Sequence, residues 1–87
     1  MTVEQIDTFL RKHKFDQKSV KVSFKSRNAL IGMFVKTEDY DQLKGKNFWR
    51  IIIESNKKQY LSSKDMNLTR IFHGTAFVKL SVVDTIG

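Results

Sequence analysis

The chain has 87 residues with no cysteine and no proline, and its 16 Lys and Arg against nine Asp and Glu leave a formal net charge of +7. That length holds one domain, residues 1–87, and the missing thiols exclude both a disulfide framework and a thiolate metal site. No stretch approaches the ~20 consecutive apolar residues of a membrane helix, so no membrane partner is expected.

The first residues also lack the basic-then-apolar build of a secretion signal, which together with the missing cysteines makes the cytoplasm the expected location. The positive charge is uneven. Arg11, Lys12, Lys14, Lys18, Lys21, Lys25 and Arg27 are opposed only by Asp16 between them. A field of that sign and size favours polyanionic partners.

Residues 2–14 carry the pattern of a short amphipathic helix. Thr2 followed by Gln5 forms a capping-box pair, and Val3, Ile6, Phe9 or Leu10, and His13 recur on one face. Glu4 near the start and Arg11, Lys12 and Lys14 near the end suit the helix dipole. From Val20 the period changes to two. Val20, Val22 and Phe24 alternate with Lys21, Ser23 and Lys25, which predicts a half-buried strand. Ser26 to Asn28 turns the chain into a second strand, Ala29 to Lys36. Gly32 inside it marks a bulge or sharp bend.

Thr37 to Lys46 is polar, begins with Glu38, Asp39 and Asp41, and contains Gly45, so it is expected to be a loop. Phe48 to Glu54 predicts a third strand, and Gln59 to Ser62 a short fourth after a turn at 55–58. Leu68 to Phe72 and Phe77 to Val83 flank His73-Gly74-Thr75-Ala76, which is expected to be a hairpin tip. One helix followed by several short strands predicts a small, strongly bent sheet or barrel with the helix across an open end.

The segment Arg70-Ile71-Phe72-His73-Gly74-Thr75-Ala76-Phe77-Val78-Lys79-Leu80 resembles the second motif of the Sm-like family of Sm, LSm and Hfq proteins. Phe72, His73, Gly74, Phe77 and Leu80 stand at its apolar, basic, glycine and apolar positions. Leu30, Gly32 and Phe34, with Asp39 and Asn47, resemble the first motif. Two departures stand out: the segment between Asp39 and Asn47 is longer than the family's tight turn, and His73 occupies a position where Arg or Lys is usual. The resemblance implies a mostly β fold, an N-terminal helix (about 2–14) on a five-stranded SH3-like, Sm-type barrel (about 19–84). It also implies a homo-oligomeric ring in which the fourth strand of one copy pairs with the fifth of the next.

Single-stranded RNA is held by cations on phosphates and by flat side chains stacked on bases. Lys44, Lys46, Asn47, Phe48 and Trp49 supply those types within six positions. In the Sm-like reading Asn47 contacts a base edge while Tyr40 or Phe48 stacks, with Asp39 at the same turn. His73 and Gly74 sit at the tip that would line the pore, with Arg70 close behind. Arg11, Lys12, Lys14 and Lys18 form a basic rim. Each has a plainer reading: Asn47 as a turn cap, Phe48 and Trp49 as core, His73 as a loop histidine, and the basic residues as solvated surface.

Glu38, Asp39 and Asp41 lack the spacing and glycine of a calcium loop, and the two histidines lack metal-ligand spacing. No metal, cofactor or catalytic residue is expected, so the sequence predicts a non-enzymatic binder of single-stranded RNA that self-associates. The alternatives are an SH3-like protein-interaction module, or a structural ring component that binds no nucleic acid.

Overall fold

The structure, a computed structural model, describes residues 1–13 and 18–83. Along the chain run α1 (Val3–Lys12), β1 (Val20–Phe24), β2 (Leu30–Phe34), α2 (Tyr40–Gly45), β3 (Phe48–Ile53), α3 (Lys57–Ser63), β4 (Thr69–His73) and β5 (Phe77–Val82), with single 3₁₀ turns before α3, before β4 and between β4 and β5. Lys14, at the end of the expected helix, and Asp84, at the end of the expected barrel, lie outside the described residues.

The N-terminal helix begins as its sequence dictates. The Thr2 hydroxyl accepts from the Gln5 backbone N–H at 3.2 Å, and the Gln5 amide oxygen accepts from the Thr2 N–H at 2.9 Å. Two of the otherwise orphaned donors of the first turn are thereby satisfied. Ile6 and Leu10, four residues apart, are buried. They join Val20, Val22, Phe34, Trp49, Ile51, Phe77 and Leu80 in the main core, so α1 covers the concave side of the sheet.

The five strands form one antiparallel sheet in the order β4-β3-β2-β1-β5. β4 pairs with β3 and β5 with β1, so the expected hairpin at residues 73–76 is not formed. His73 and Phe77 instead begin on opposite edges of the sheet, joined by a 3₁₀ turn at Gly74–Ala76. A flat sheet would separate those edges by about 19 Å, four spacings of ~4.8 Å. The four steps from His73 to Phe77 span at most ~14 Å. The sheet must therefore curl. Phe24 of β1 and Phe72 of β4, with two strands between them, have ring centroids only 5.5 Å apart. The sheet stays open between β4 and β5, a curled sheet whose two edges approach.

Gly32 allows β2 and β3 to approach closely, and the register shift falls instead between Ser23 and Phe24 in the β1–β5 ladder. A Cβ at Gly32 would lie 2.5 Å from the Ile52 carbonyl oxygen and 2.8 Å from Ile51 Cγ2 on the paired strand, so no side chain fits.

Two stretches differ from the sequence reading. The segment expected to be a loop at 37–46 contains α2, and the strand expected at Gln59 to Ser62 is α3. The reason for α3 lies in the sheet. β2 and β3 are apolar on both faces. Phe34 and Ile51 point into the main core, and their neighbours Met33, Val35 and Ile52 point the other way. A strand with two apolar faces needs two covers. Tyr60, buried on α3, and the partly buried Leu61 and Leu68 supply the second one. Among the described residues no helix is long and apolar enough to cross a membrane.

Candidate functional site

α2 ends at Gly45, and Asn47 then adopts a left-handed conformation (φ 62°) that turns the chain into β3. Asparagine tolerates this geometry better than most residues and is used just past helix ends for that reason. Its backbone N–H donates to the Lys44 carbonyl at 2.9 Å, and its own carbonyl accepts from the Gly74 N–H at 2.7 Å. Asn47 and Gly74, both singled out in the sequence, are therefore in direct contact. A Cβ on Gly74 would fall 2.2 Å from Asn47 Oδ1 and 2.6 Å from Ile6 Cδ1.

The same contacts change the role expected of Asn47. Its Nδ2 donates to the Met1 carbonyl at 3.1 Å, and its Oδ1 accepts from the Trp49 indole N–H at 2.7 Å. Both ends of the amide are engaged within the chain. Asn47 ties the N-terminus, the core tryptophan and the β4–β5 connection together, and the amide is turned inward rather than toward a ligand. The amino group of Met1 adds bonds to the Gly74 and Phe77 carbonyls at 2.8 and 2.9 Å.

Next to this junction Phe48 and His73 face each other across the β3–β4 ladder, with ring centroids 4.8 Å apart and planes at 87°. Both are half-buried, so each presents part of its ring to solvent. His73 Nδ1 accepts the Thr75 backbone N–H at 3.3 Å and lies 2.7 Å from the Thr75 hydroxyl. With Nδ1 an acceptor, the neutral ring carries its proton on Nε2, which has no partner among the described residues. Lys46 is exposed at the end of α2 beside Asn47. Arg70 is exposed on β4, in register with Ile51 and two residues before Phe72.

Asp39 and Tyr40 belong to a different neighbourhood. The Asp39 carboxylate accepts from the Thr37 hydroxyl and, at 2.6 Å, from Arg50 Nη2, while Arg50 Nη1 donates to Thr69 at 2.7 Å. The bond from Thr37 and the Arg50 guanidinium hold the Asp39 carboxyl below its usual range. Trp49 and Arg50 are consecutive on β3 and point to opposite faces. Asn47 is tied to Trp49 and Asp39 to Arg50, so the two residues of the first motif do not converge. α2, inserted between them, is the physical cause. The clamp through Arg50 was not expected from the sequence.

Tyr40 packs its edge against Trp49, with centroids 6.1 Å apart. The Lys36 and Lys44 ammonium groups lie 5.4 and 6.0 Å from its ring centroid. Tyr40 and Lys44, four residues apart on α2, share a helix face, whereas Lys36 precedes the helix and reaches the ring from outside it. Burial first, and then the charges of Asp7 and Asp41, push the Tyr40 phenol up to about 12, so it remains protonated in neutral solution.

Asp7 on α1 joins the two helices. Its carboxylate receives Lys44 Nζ at 2.8 Å and Arg11 Nε at 3.1 Å. The hydrogen bond from Lys44 is the main reason its carboxyl lies below the usual range. Of the expected basic rim, Arg11, Lys12 and Lys18 are exposed. Lys12 and Lys18 have no carboxylate partner among the described residues, and Lys14 lies outside them. No three His, Cys, Asp or Glu side chains among the described residues are grouped to hold a metal ion.

Comparison of the chain with protein-family models, curated proteins and solved structures returns no match.

Proposed function

We propose that this chain is a non-enzymatic, ring-forming, Sm-like protein that binds single-stranded RNA. The observation that carries this reading is the contact between the two motif echoes. The first motif's Asn47 and the second motif's Gly74 share a 2.7 Å backbone hydrogen bond, with no space for a side chain at position 74. Two distant stretches that resemble motifs of one family are thus neighbours in space. The curled sheet is read as an Sm-type barrel, its order leaving β4 and β5 as edges. Ile71 on β4 is 46% exposed and Val78 on β5 is 57% exposed. Unpaired edges that display apolar side chains favour pairing with another copy, and head-to-tail pairing closes into a ring.

In this reading bases are held by Phe48 and by the outward Nε2–H of His73, with Lys46 and Arg70 on flanking phosphates. Asn47 supports the site from behind instead of contacting the base. Repetition of a weak contact around a ring raises the overall affinity.

Fluorescence anisotropy with uridine-rich and adenine-rich oligomers tests the proposal. Saturable binding is expected, with a log–log salt slope of about −3 if roughly four phosphates are neutralised at ~0.7 each. Phe48→Ala and His73→Ala are expected to weaken it while the protein stays folded. Binding that ignores salt, or that both substitutions leave unchanged, would overturn the assignment. Saturable capture of acidic peptides with no oligonucleotide binding would favour a protein-interaction module, and oligomers that bind neither would favour a structural ring component.

A further inference from the structure

A groove of about 460 Å³ runs between α1 and α2, away from the Phe48–His73 end of the sheet. Its walls carry Arg11, Lys36 and Lys44 as cations, Asp7 and Asp41 as carboxylates, and the Tyr40 ring. Buried Leu10 also lines it. The charges are not matched in pairs. Asp7 receives both Lys44 and Arg11, so one carboxylate faces two cations. Lys36 is exposed and has no carboxylate partner among the described residues. Its ammonium group stands near the Tyr40 ring, which packs against Trp49. With three cations against the two carboxylates of Asp7 and Asp41, the groove carries one positive charge in excess beside the Tyr40 ring, a combination that suits a single-stranded backbone.

It is joined to the candidate base site through the core and not along the surface, because Trp49 is buried. Tyr40 rests on Trp49, Trp49 donates to Asn47, and Asn47 leads directly into Phe48. α2 therefore links the two places, with Tyr40 at its start and Lys46, Asn47 and Phe48 following its end.

We propose that the α1–α2 groove is a phosphate subsite, in which Lys36, Lys44 and Arg11 hold the backbone of a single-stranded RNA whose base lies at Phe48 and His73. This inference rests on the RNA-binding reading and extends it to a second location. The groove depends on α2, which replaces a tight turn, so the subsite belongs to this chain's own insertion.

Lys36→Ala is the direct test, because Lys36 makes no ion pair among the described residues whose loss would disturb the fold. The variant is expected to bind uridine-rich and adenine-rich oligomers more weakly and to equal degrees. Its salt slope should be shallower by about 0.7, the contribution of one single-strand phosphate contact. Wild-type affinity and slope in this variant would overturn the subsite. Amide chemical-shift mapping with oligouridine separates the two proposals. Shifts at Lys36, Tyr40 and Lys44 as well as at Phe48 and His73 support both. Shifts at Phe48 and His73 alone overturn the groove and leave the RNA reading standing. A chain that binds no oligonucleotide overturns both, and groove shifts produced only by an acidic peptide would assign the groove to a protein partner.

Discussion

Replacing Gly74 by alanine tests the junction on which the candidate site is built. The new methyl group would stand 2.2 Å from Asn47 Oδ1 and 2.6 Å from Ile6 Cδ1. Asn47 cannot yield freely, because its amide holds the Met1 carbonyl and the Trp49 indole N–H. Ile6 cannot either, since it is fully buried in the main core. Overpacking of this kind costs roughly 1–3 kcal/mol, and each displaced hydrogen bond about 1 kcal/mol more. A loss of about 3 kcal/mol is expected, a fall in Tm of about 12–24 °C for a domain of this size. Gly45→Ala provides the control. Nothing lies within 4 Å of its Cβ position, at the last residue of α2, and its φ is not positive. That substitution should stabilise by about 0.4–1 kcal/mol through reduced freedom of the unfolded chain. Urea titration of both variants, followed by tryptophan fluorescence from buried Trp49, reads the difference. A Gly74→Ala midpoint within error of wild type would refute the packing argument.

Tyr60→Ala removes the main anchor of α3 and should cost about 3 kcal/mol, by analogy with large-to-alanine core changes; hydrogen exchange should then rise in α3 before it rises in β1. Gly32→Ala should be worse tolerated than Gly74→Ala, because its Cβ meets the Ile52 backbone, which has no rotamer to change; comparison of the two urea midpoints checks this. Asp7 and Asp39 have folded-state carboxyls lowered from 3.8, so their contribution is complete above the unfolded value and is lost as pH falls through the lower folded values. Urea midpoints at low salt should therefore decline below about pH 4, and more shallowly in Asp7→Asn and Asp39→Asn; an unchanged acid limb in both variants would contradict the ion pairs.

The elements legible in the sequence were those with a single strong period. α1 shows its cap at Thr2 and Gln5 and its stripe at Ile6 and Leu10, and β1 alternates cleanly over Val20 to Phe24. α2 was hidden because none of its six residues is buried: it is held by Asp7 reaching Lys44 and by Tyr40 against Trp49, contacts from distant sequence. α3 was misread because Tyr60 and Leu61 suit a short strand equally well, and propensity over seven residues is a weak guide. The signal that separates them lies elsewhere, in the two-sided apolar runs of β2 and β3, which demand a second cover.

The segment after Phe72 resembles a hairpin locally. Only the curl of the whole sheet carries its two strands to opposite edges. In the candidate site, Asn47 and Gly74 each stand out in the sequence, but their contact with each other does not. Nor does the inward turn of the Asn47 amide, because it depends on where α1 places Met1. The capture of Asp39 by Arg50 depends likewise on α2, which follows Asp39, and on the β3–β4 register.

In the proposed assembly, the β4 and β5 edges of the curled sheet join copies into a ring that gathers RNA. Native mass measurement of the particle, alone and with oligouridine, tests it most directly. The account predicts a closed oligomer of one defined copy number that gains the mass of bound oligonucleotide. A monomer at micromolar concentration, with its mass unchanged by oligouridine, would contradict it.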